Sequence, residues 1–229
     1  LVQSSGIDRN RLVGGGVSIA GIVDHTRALL LNEPNLGWEN VPVGDILADH
    51  LRIPFRVESH PNALNLAERR LGITKGVSNV VLVNVALGIG GSLILDGHLA
   101  RGGTNSAGRI GHIQVPGADQ LCMCGQRGGL DTVSSGQAIL THLGLLPKRP
   151  VPQENDAEDA YRLLFAIEQV AEGQSASVEA FRDAGKTLGR AINAVLATND
   201  PEVVVLAGPV GRTEAYLEGI RATLNPSSQ

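Results

Sequence analysis

Three apolar runs, at residues 13–22, 77–85 and 201–207, each meet glycine at or just past their ends: Gly21, Gly88 and Gly208. Runs of this kind read as strands buried in a sheet, and a glycine there lets the backbone turn sharply or approach a ligand closely. Between them the apolar residues recur at helical spacing. Val43, Ile46, Leu47 and Leu51 form one stripe behind Pro42, and Leu64, Ala67 and Leu71 form another. The longest stripe is Ala180, Phe181, Ala184, Leu188, Ala191, Ile192 and Val195. Residues 132–143 and 157–172 also read as helices, and 54–57 as a short strand. Strands interleaved with helices predict an α/β protein. Asp96-Gly97 between apolar runs predicts a hairpin turn. The proline-rich, polar stretch 148–156 reads as a surface loop.

The chain has 229 residues, enough for one large domain or two lobes. Aromatic residues are only 3% against 42% hydrophobic, so Val, Leu, Ile and Ala must build the core. The 29 glycines fall in clusters with no fixed period, which excludes a collagen-like repeat. A net charge of −4 gives no basic footprint for nucleic acid. The apolar run 80–95 is interrupted by Asn84, three glycines and Ser92, and makes no membrane span. No basic, then apolar, secretion signal opens the chain. Its two cysteines, Cys122 and Cys124, are too close in sequence for an ordinary structural disulfide, and a reducing, cytoplasmic setting is expected.

Four places could carry chemistry. The turn Leu87-Gly88-Ile89-Gly90-Gly91 could bring backbone N–H groups to a phosphate, or could be a plain tight hairpin. His112, Cys122 and Cys124 suit a tetrahedral zinc ion, but they supply three ligands where a structural site closes with four. The other reading is a buried histidine near two free thiols. His60 stands between a strand and a helix, where α/β proteins place ligand groups, or is a surface loop histidine. Asp131 begins a helix, where its charge suits the helix dipole.

One block ties these places together. Gly88-Ile89-Gly90-Gly91-Ser92-Leu93-Ile94-Leu95-Asp96-Gly97 is followed by Arg101-Gly102 and by Ala107-Gly108-Arg109-Ile110-Gly111-His112. Cys122-Met123-Cys124-Gly125-Gln126-Arg127-Gly128-Gly129-Leu130-Asp131 completes it. With Asn35 to Pro42 upstream and Asn199-Asp200-Pro201-Glu202-Val203 and Gly208 downstream, the chain resembles the ROK family of repressors, uncharacterised reading frames and sugar kinases. The resemblance implies a two-lobed, actin-like ATPase (ribonuclease H-like) fold with the first lobe incomplete: a partial N-terminal lobe over 1–76 and a C-terminal lobe over 77–229. It implies a sugar-binding cleft between lobes, lined by Ser59, His60, Asn62, Arg109, His112 and Asp131. Gly88, Gly90 and Gly91 are then the remnant of a phosphate loop.

Departures from the family pattern shape the expected function. Where family kinases read Glu-Asn-Asp-Ala-Asn, this chain reads Glu58-Ser59-His60-Pro61-Asn62, so His60 stands at the base position and Ser59 at a sugar-binding Asn. Leu87 replaces a Thr of the phosphate loop, Arg109 and Asp131 replace glutamates, and Gly129 replaces the third zinc cysteine. The family's first phosphate hairpin would precede Leu1, and its last helix would lie beyond Gln229. The expectation is therefore a sugar-sensing effector domain of a ROK-type transcriptional regulator without kinase activity, cytoplasmic and oligomeric (dimer or tetramer). DNA would be contacted only through a helix-turn-helix domain outside this chain. ATP is not expected, and zinc is expected to be absent or weakly held by His112, Cys122 and Cys124. The alternative is a divergent ATP-dependent sugar kinase with His60 as base.

Overall fold

The computed structural model describes residues 6, 8, 11–147 and 156–225. The expected loop at 148–156 lies almost wholly outside them. The chain divides into two compact units, Leu1–Leu64 and Asn65–Gln229. That division falls inside a helix, whereas the sequence reading places it in the turn beyond, at 76/77.

In the first unit, β1 (Gly15–Ile19) and β5 (Phe55–Ser59) form a parallel pair, with Val17 opposite Val57 and Ile19 opposite Ser59. A second sheet holds β2 (Ile22–Asp24), β3 (Leu29–Glu33) and β4 (Trp38–Val41) as an antiparallel meander. Helix α1 (Val43–Leu51) follows Pro42, which takes the N-cap position because a helix start needs no N–H from it. The core of this unit is small: Val23, Leu30, Val43 and Val57 are buried, with Val17, Ile19 and Leu47 packed against them. Helix α2 (His60–Leu71) starts at the residue directly after β5 and carries the chain into the second unit.

The second unit is built on one sheet of order β8-β7-β6-β9, from β6 (Val80–Val85), β7 (Ile89–Leu95), β8 (His98–Ala100) and β9 (Val203–Ala207). β6 runs antiparallel to β7 and parallel to β9. Every residue of β6 except Asn84 is buried, as its run of branched apolar residues demands. The other two glycine-bounded runs are less buried than their sequence suggests. β9 is an edge strand with only Val205 buried, and β1 alternates between half-buried and exposed positions. Asp96 and Gly97 both take positive φ, 48° and 77°, and turn β7 into β8 as the pair predicts.

Helices α3 (Asp131–Ser134), α4 (Gly136–His142), α5 (Asp156–Ala171), α6 (Ser175–Asn199), α7 (Gly208–Gly211) and α8 (Glu214–Arg221) complete this unit. The helix expected over 132–143 is two, because Ser135 is extended (ψ 170°) and caps α4 by accepting from Ala138 N–H at 3.2 Å. All seven residues of the predicted α6 stripe are buried. α6 lies against α8 through glycines: a Cβ on Gly185 would strike the Tyr216 carbonyl, and one on Gly189 would come within 2.6 Å of the Ile220 carbonyl. Below this contact, the Tyr216 hydroxyl donates to the Ser134 carbonyl at 2.9 Å, and the Ser134 hydroxyl donates to the Ala184 carbonyl at 2.7 Å. Among the described residues no helix is long and apolar enough to cross a membrane.

Candidate functional site

In the first unit the site residues gather where β5 passes into α2. Glu58, near the end of β5, accepts on one carboxylate oxygen from the Ser59 backbone N–H at 3.0 Å and from the Asn62 amide at 3.1 Å. Asn62 is 7% exposed, so its amide needs this partner. His60 is exposed, and its Nδ1 lies 2.9 Å from the hydroxyl of Ser18 on β1. Ser59, His60 and Asn62 thus stand together on a single turn with Glu58 beneath them. Ser18 escapes a reading of the sequence. It is one polar residue in a glycine- and valine-rich run, and only the register of β1 on β5 brings it to the histidine.

In the second unit the glycine turn between β6 and β7 is held by an acid. Ile89 N–H donates to Asp131 Oδ1 at 2.6 Å, across 42 positions of sequence. The surrounding backbone fits closely around this bond. A Cβ on Gly111 would meet the Ile89 carbonyl and lie 3.0 Å from the Asp131 carboxyl carbon, and one on Gly91 would lie 2.5 Å from the Gly108 carbonyl. Burial pushes the Asp131 carboxyl up to about 7, against the pull of the Ile89 N–H and the Arg109 charge. One oxygen of the proposed sugar ligand is therefore committed to shaping the turn. Arg109 is exposed at the start of the 3₁₀ turn Ile110–His112.

That turn delivers His112 to the cysteine loop. His112 Nδ1 lies 3.2 Å from Cys122 Sγ, and ligand atoms of His112, Cys122 and Cys124 all fall within 4.8 Å of one another. Burial, with the Arg109 charge second, lowers the His112 pKa to about 4 and keeps the imidazole neutral. Burial raises the Cys122 thiol to about 11. One neutral imidazole and two thiols are the donor set of a zinc ion, which would displace the thiol protons. A Cβ on Gly129 would lie 2.8 Å from Cys122 Sγ, so the position that carries no donor faces the cluster directly. The three residues bring three donors together where a closed tetrahedral zinc site takes four.

Comparison with known proteins places this geometry in context. A family model described as ROK family matches residues 1–228. The xylose repressor of Caldicellulosiruptor bescii is 27% identical over 221 residues, which cover 95% of this chain and 55% of the repressor. The crystal structure of a ROK family glucokinase from Streptomyces griseus, in complex with glucose and AMPPNP, matches with a TM-score of 0.80 and 27% identity, over 96% of this chain and 72% of that one. A ROK family transcriptional regulator, a homologue of the E. coli MLC protein, matches with a TM-score of 0.76 and 25% identity, over 99% of this chain and 58% of that one. The chain spans about half the length of the curated repressors it matches. The mixed α/β architecture is the actin-like ATPase fold. These likenesses correct one expectation. The sequence departures at His60 and Leu87 led to a chain without kinase activity, and glucokinases among both the curated relatives and the solved structures do not support that exclusion. Physically, an imidazole can accept a proton as a carboxylate can, so the exchange at position 60 does not remove a base.

Proposed function

We propose a function from one premise: this chain belongs to the ROK family. It binds a sugar, and the chemistry its residues support best is ATP-dependent phosphorylation of a sugar hydroxyl. The carrying observation is His60. It is the first residue of α2, exposed, at the position where the family resemblance puts the kinase base, and among the described residues its bond is made through Nδ1. Its other ring nitrogen is free to take a proton from a hydroxyl as that oxygen attacks the terminal phosphorus. In the first unit Ser59 and Asn62 offer a hydroxyl and an amide suited to sugar hydroxyls, and in the second Arg109 and His112 offer a guanidinium and an imidazole. The glycine turn, held by Asp131, is the part of the chain that would meet phosphate. A zinc ion would be held by His112, Cys122 and Cys124 and would fix the loop that leads to Asp131.

A second reading is favoured by the likeness to a xylose repressor over 95% of this chain. There the same sugar site serves a transcriptional regulator, and binding shifts a population between two states of a longer protein. One experiment separates the two. The purified chain is given ATP and magnesium with a panel that includes glucose, xylose, amino and acidic sugars, and both ADP release and melting temperature are followed. Sugar-dependent ADP release with a melting shift supports the kinase reading. A melting shift without ADP release transfers the conclusion to the sensor, and neither response removes both.

A further inference from the structure

Ser18 and His60 lie 42 positions apart in the sequence and meet at 2.9 Å, Oγ to Nδ1. The topology produces the meeting. β1 and β5 run parallel with Ile19 opposite Ser59, so Ser18 stands beside the point where the chain leaves β5 and begins α2 at His60. Both side chains are exposed, so the bond does not rescue a polar group stranded in a core. Among the described residues, Ser18 is the group that bonds this ring.

A neutral imidazole carries a proton on one nitrogen and a lone pair on the other. What bonds Nδ1 therefore decides what Nε2 can do. When the serine oxygen accepts from Nδ1–H, the lone pair is on Nε2. When the serine donates to Nδ1, Nε2 carries the hydrogen and cannot take one from an alcohol. A base at this position needs the first arrangement.

We infer that Ser18 is a positioning residue for His60: its Oγ accepts the Nδ1 proton, fixes the tautomer, and leaves Nε2 as the proton acceptor. This rests on the sugar-phosphorylation reading above. In that reaction the proton of the sugar hydroxyl passes to Nε2 and the sugar oxygen bonds to the γ-phosphorus of ATP. The bond from that phosphorus to the bridging oxygen breaks, releasing ADP. The imidazolium formed keeps its Nδ1–H on Ser18, and the hydrogen bond becomes charge-assisted as the charge develops. An interaction that strengthens on the way to the transition state acts on kcat and leaves KM nearly unchanged.

Two measurements on the full chain separate this inference from the reading it rests on. The first is nitrogen NMR of the His60 ring in the wild type, Ser18→Ala and Ser18→Thr. The expected result is an Nδ1-protonated ring in the wild type and in Ser18→Thr, shifting toward the Nε2-protonated form in Ser18→Ala. The same ring state in all three overturns the inference, whether or not any sugar is phosphorylated. The second is kinetics with ATP and the sugar that gives the most turnover. Ser18→Ala should lower kcat about 10- to 100-fold, the cost of one hydrogen bond to a charged group, with KM within about twofold. Ser18→Thr should restore most of the loss. In a His60→Asp background Ser18→Ala should change little, because a carboxylate has no tautomer to hold. An equal loss in that background would show that Ser18 acts through packing, and would overturn the inference. A tautomer shift in a chain that phosphorylates no sugar upholds the pairing and removes the kinase reading.

Discussion

Asp131 is one carboxyl asked to do two things. It accepts the Ile89 N–H and it begins α3, yet burial raises its pKa to about 7 from an ordinary 3.8. A folded-state pKa above the unfolded one favours the protonated form in the fold. The stability it contributes is full below about pH 3.8 and is lost as the pH rises through about 7. Unfolding followed in urea from pH 4 to pH 8 should therefore show stability falling by a few kcal/mol at about 1.4 kcal/mol per unit. Asp131→Asn keeps an oxygen for Ile89 and should flatten that slope; an unchanged slope would place its origin in other groups. The zinc trio offers a second expectation at this scale. Gly129 faces Cys122 Sγ at 2.8 Å from where its Cβ would be, so Gly129→Cys supplies a fourth ligand, a third thiolate. The variant should keep zinc against a chelator that strips the wild type, as read by elemental analysis after dialysis. Equal loss from both would show that the loop does not close around a metal. His112, Cys122 and Cys124 were legible in the sequence as a group because their spacing is short. Ser18 and the Ile89–Asp131 bond were not, since each joins residues 42 positions apart and needs a strand register or a packed turn to exist.

Helices were read well where they carry a stripe and poorly where they carry a break. α6 shows its buried face in the sequence because apolar residues recur every third or fourth position from Ala180 to Val195. The interruption at Ser135 was not legible, since a serine can sit inside a helix or cap the next one, and only the capping bond to Ala138 decides. The β3–β4 hairpin was missed because its turn, Pro34 to Gly37, lies between short runs mixed with polar residues. The α6–α8 contact makes a test at this scale. Alanine favours a helix over glycine by about 1 kcal/mol, so in isolation Gly185→Ala would strengthen α6. Here the added methyl meets the Tyr216 carbonyl, a backbone atom that cannot rotate aside, and α8 must move with it. Overpacking of this kind costs about 1–3 kcal/mol and should prevail. A lower melting temperature for Gly185→Ala is expected, and a higher one would mean that the helices sit further apart than described.

At the scale of the whole chain, the second unit is held by a pairing that no local pattern announces. β6 is flanked by β7, its hairpin neighbour, and by β9, which arrives from the far end of the sequence. The order of the strands was beyond a reading of periodicity, although the existence of β6, β7 and β9 was within it. Glu202 reinforces the junction, accepting from Asn79 N–H at 2.9 Å across 123 positions and from Ser78 N–H at 3.1 Å. A chain stopped after Asn199 loses β9 and leaves one side of β6 with unpaired backbone groups. That edge is apolar, so insoluble protein is expected on expression, and a soluble, cooperatively melting product would count against the pairing. The same arrangement sets an order of events during synthesis. The β6–β7–β8 meander closes over a short stretch and can form as soon as it leaves the ribosome. Its edge strand β6 must then wait while more than a hundred further residues are made before its last neighbour, β9, is available, and closing so long a loop is slow. Through that interval an adhesive edge stands open in the cell, a window in which a holdase chaperone has something to hold.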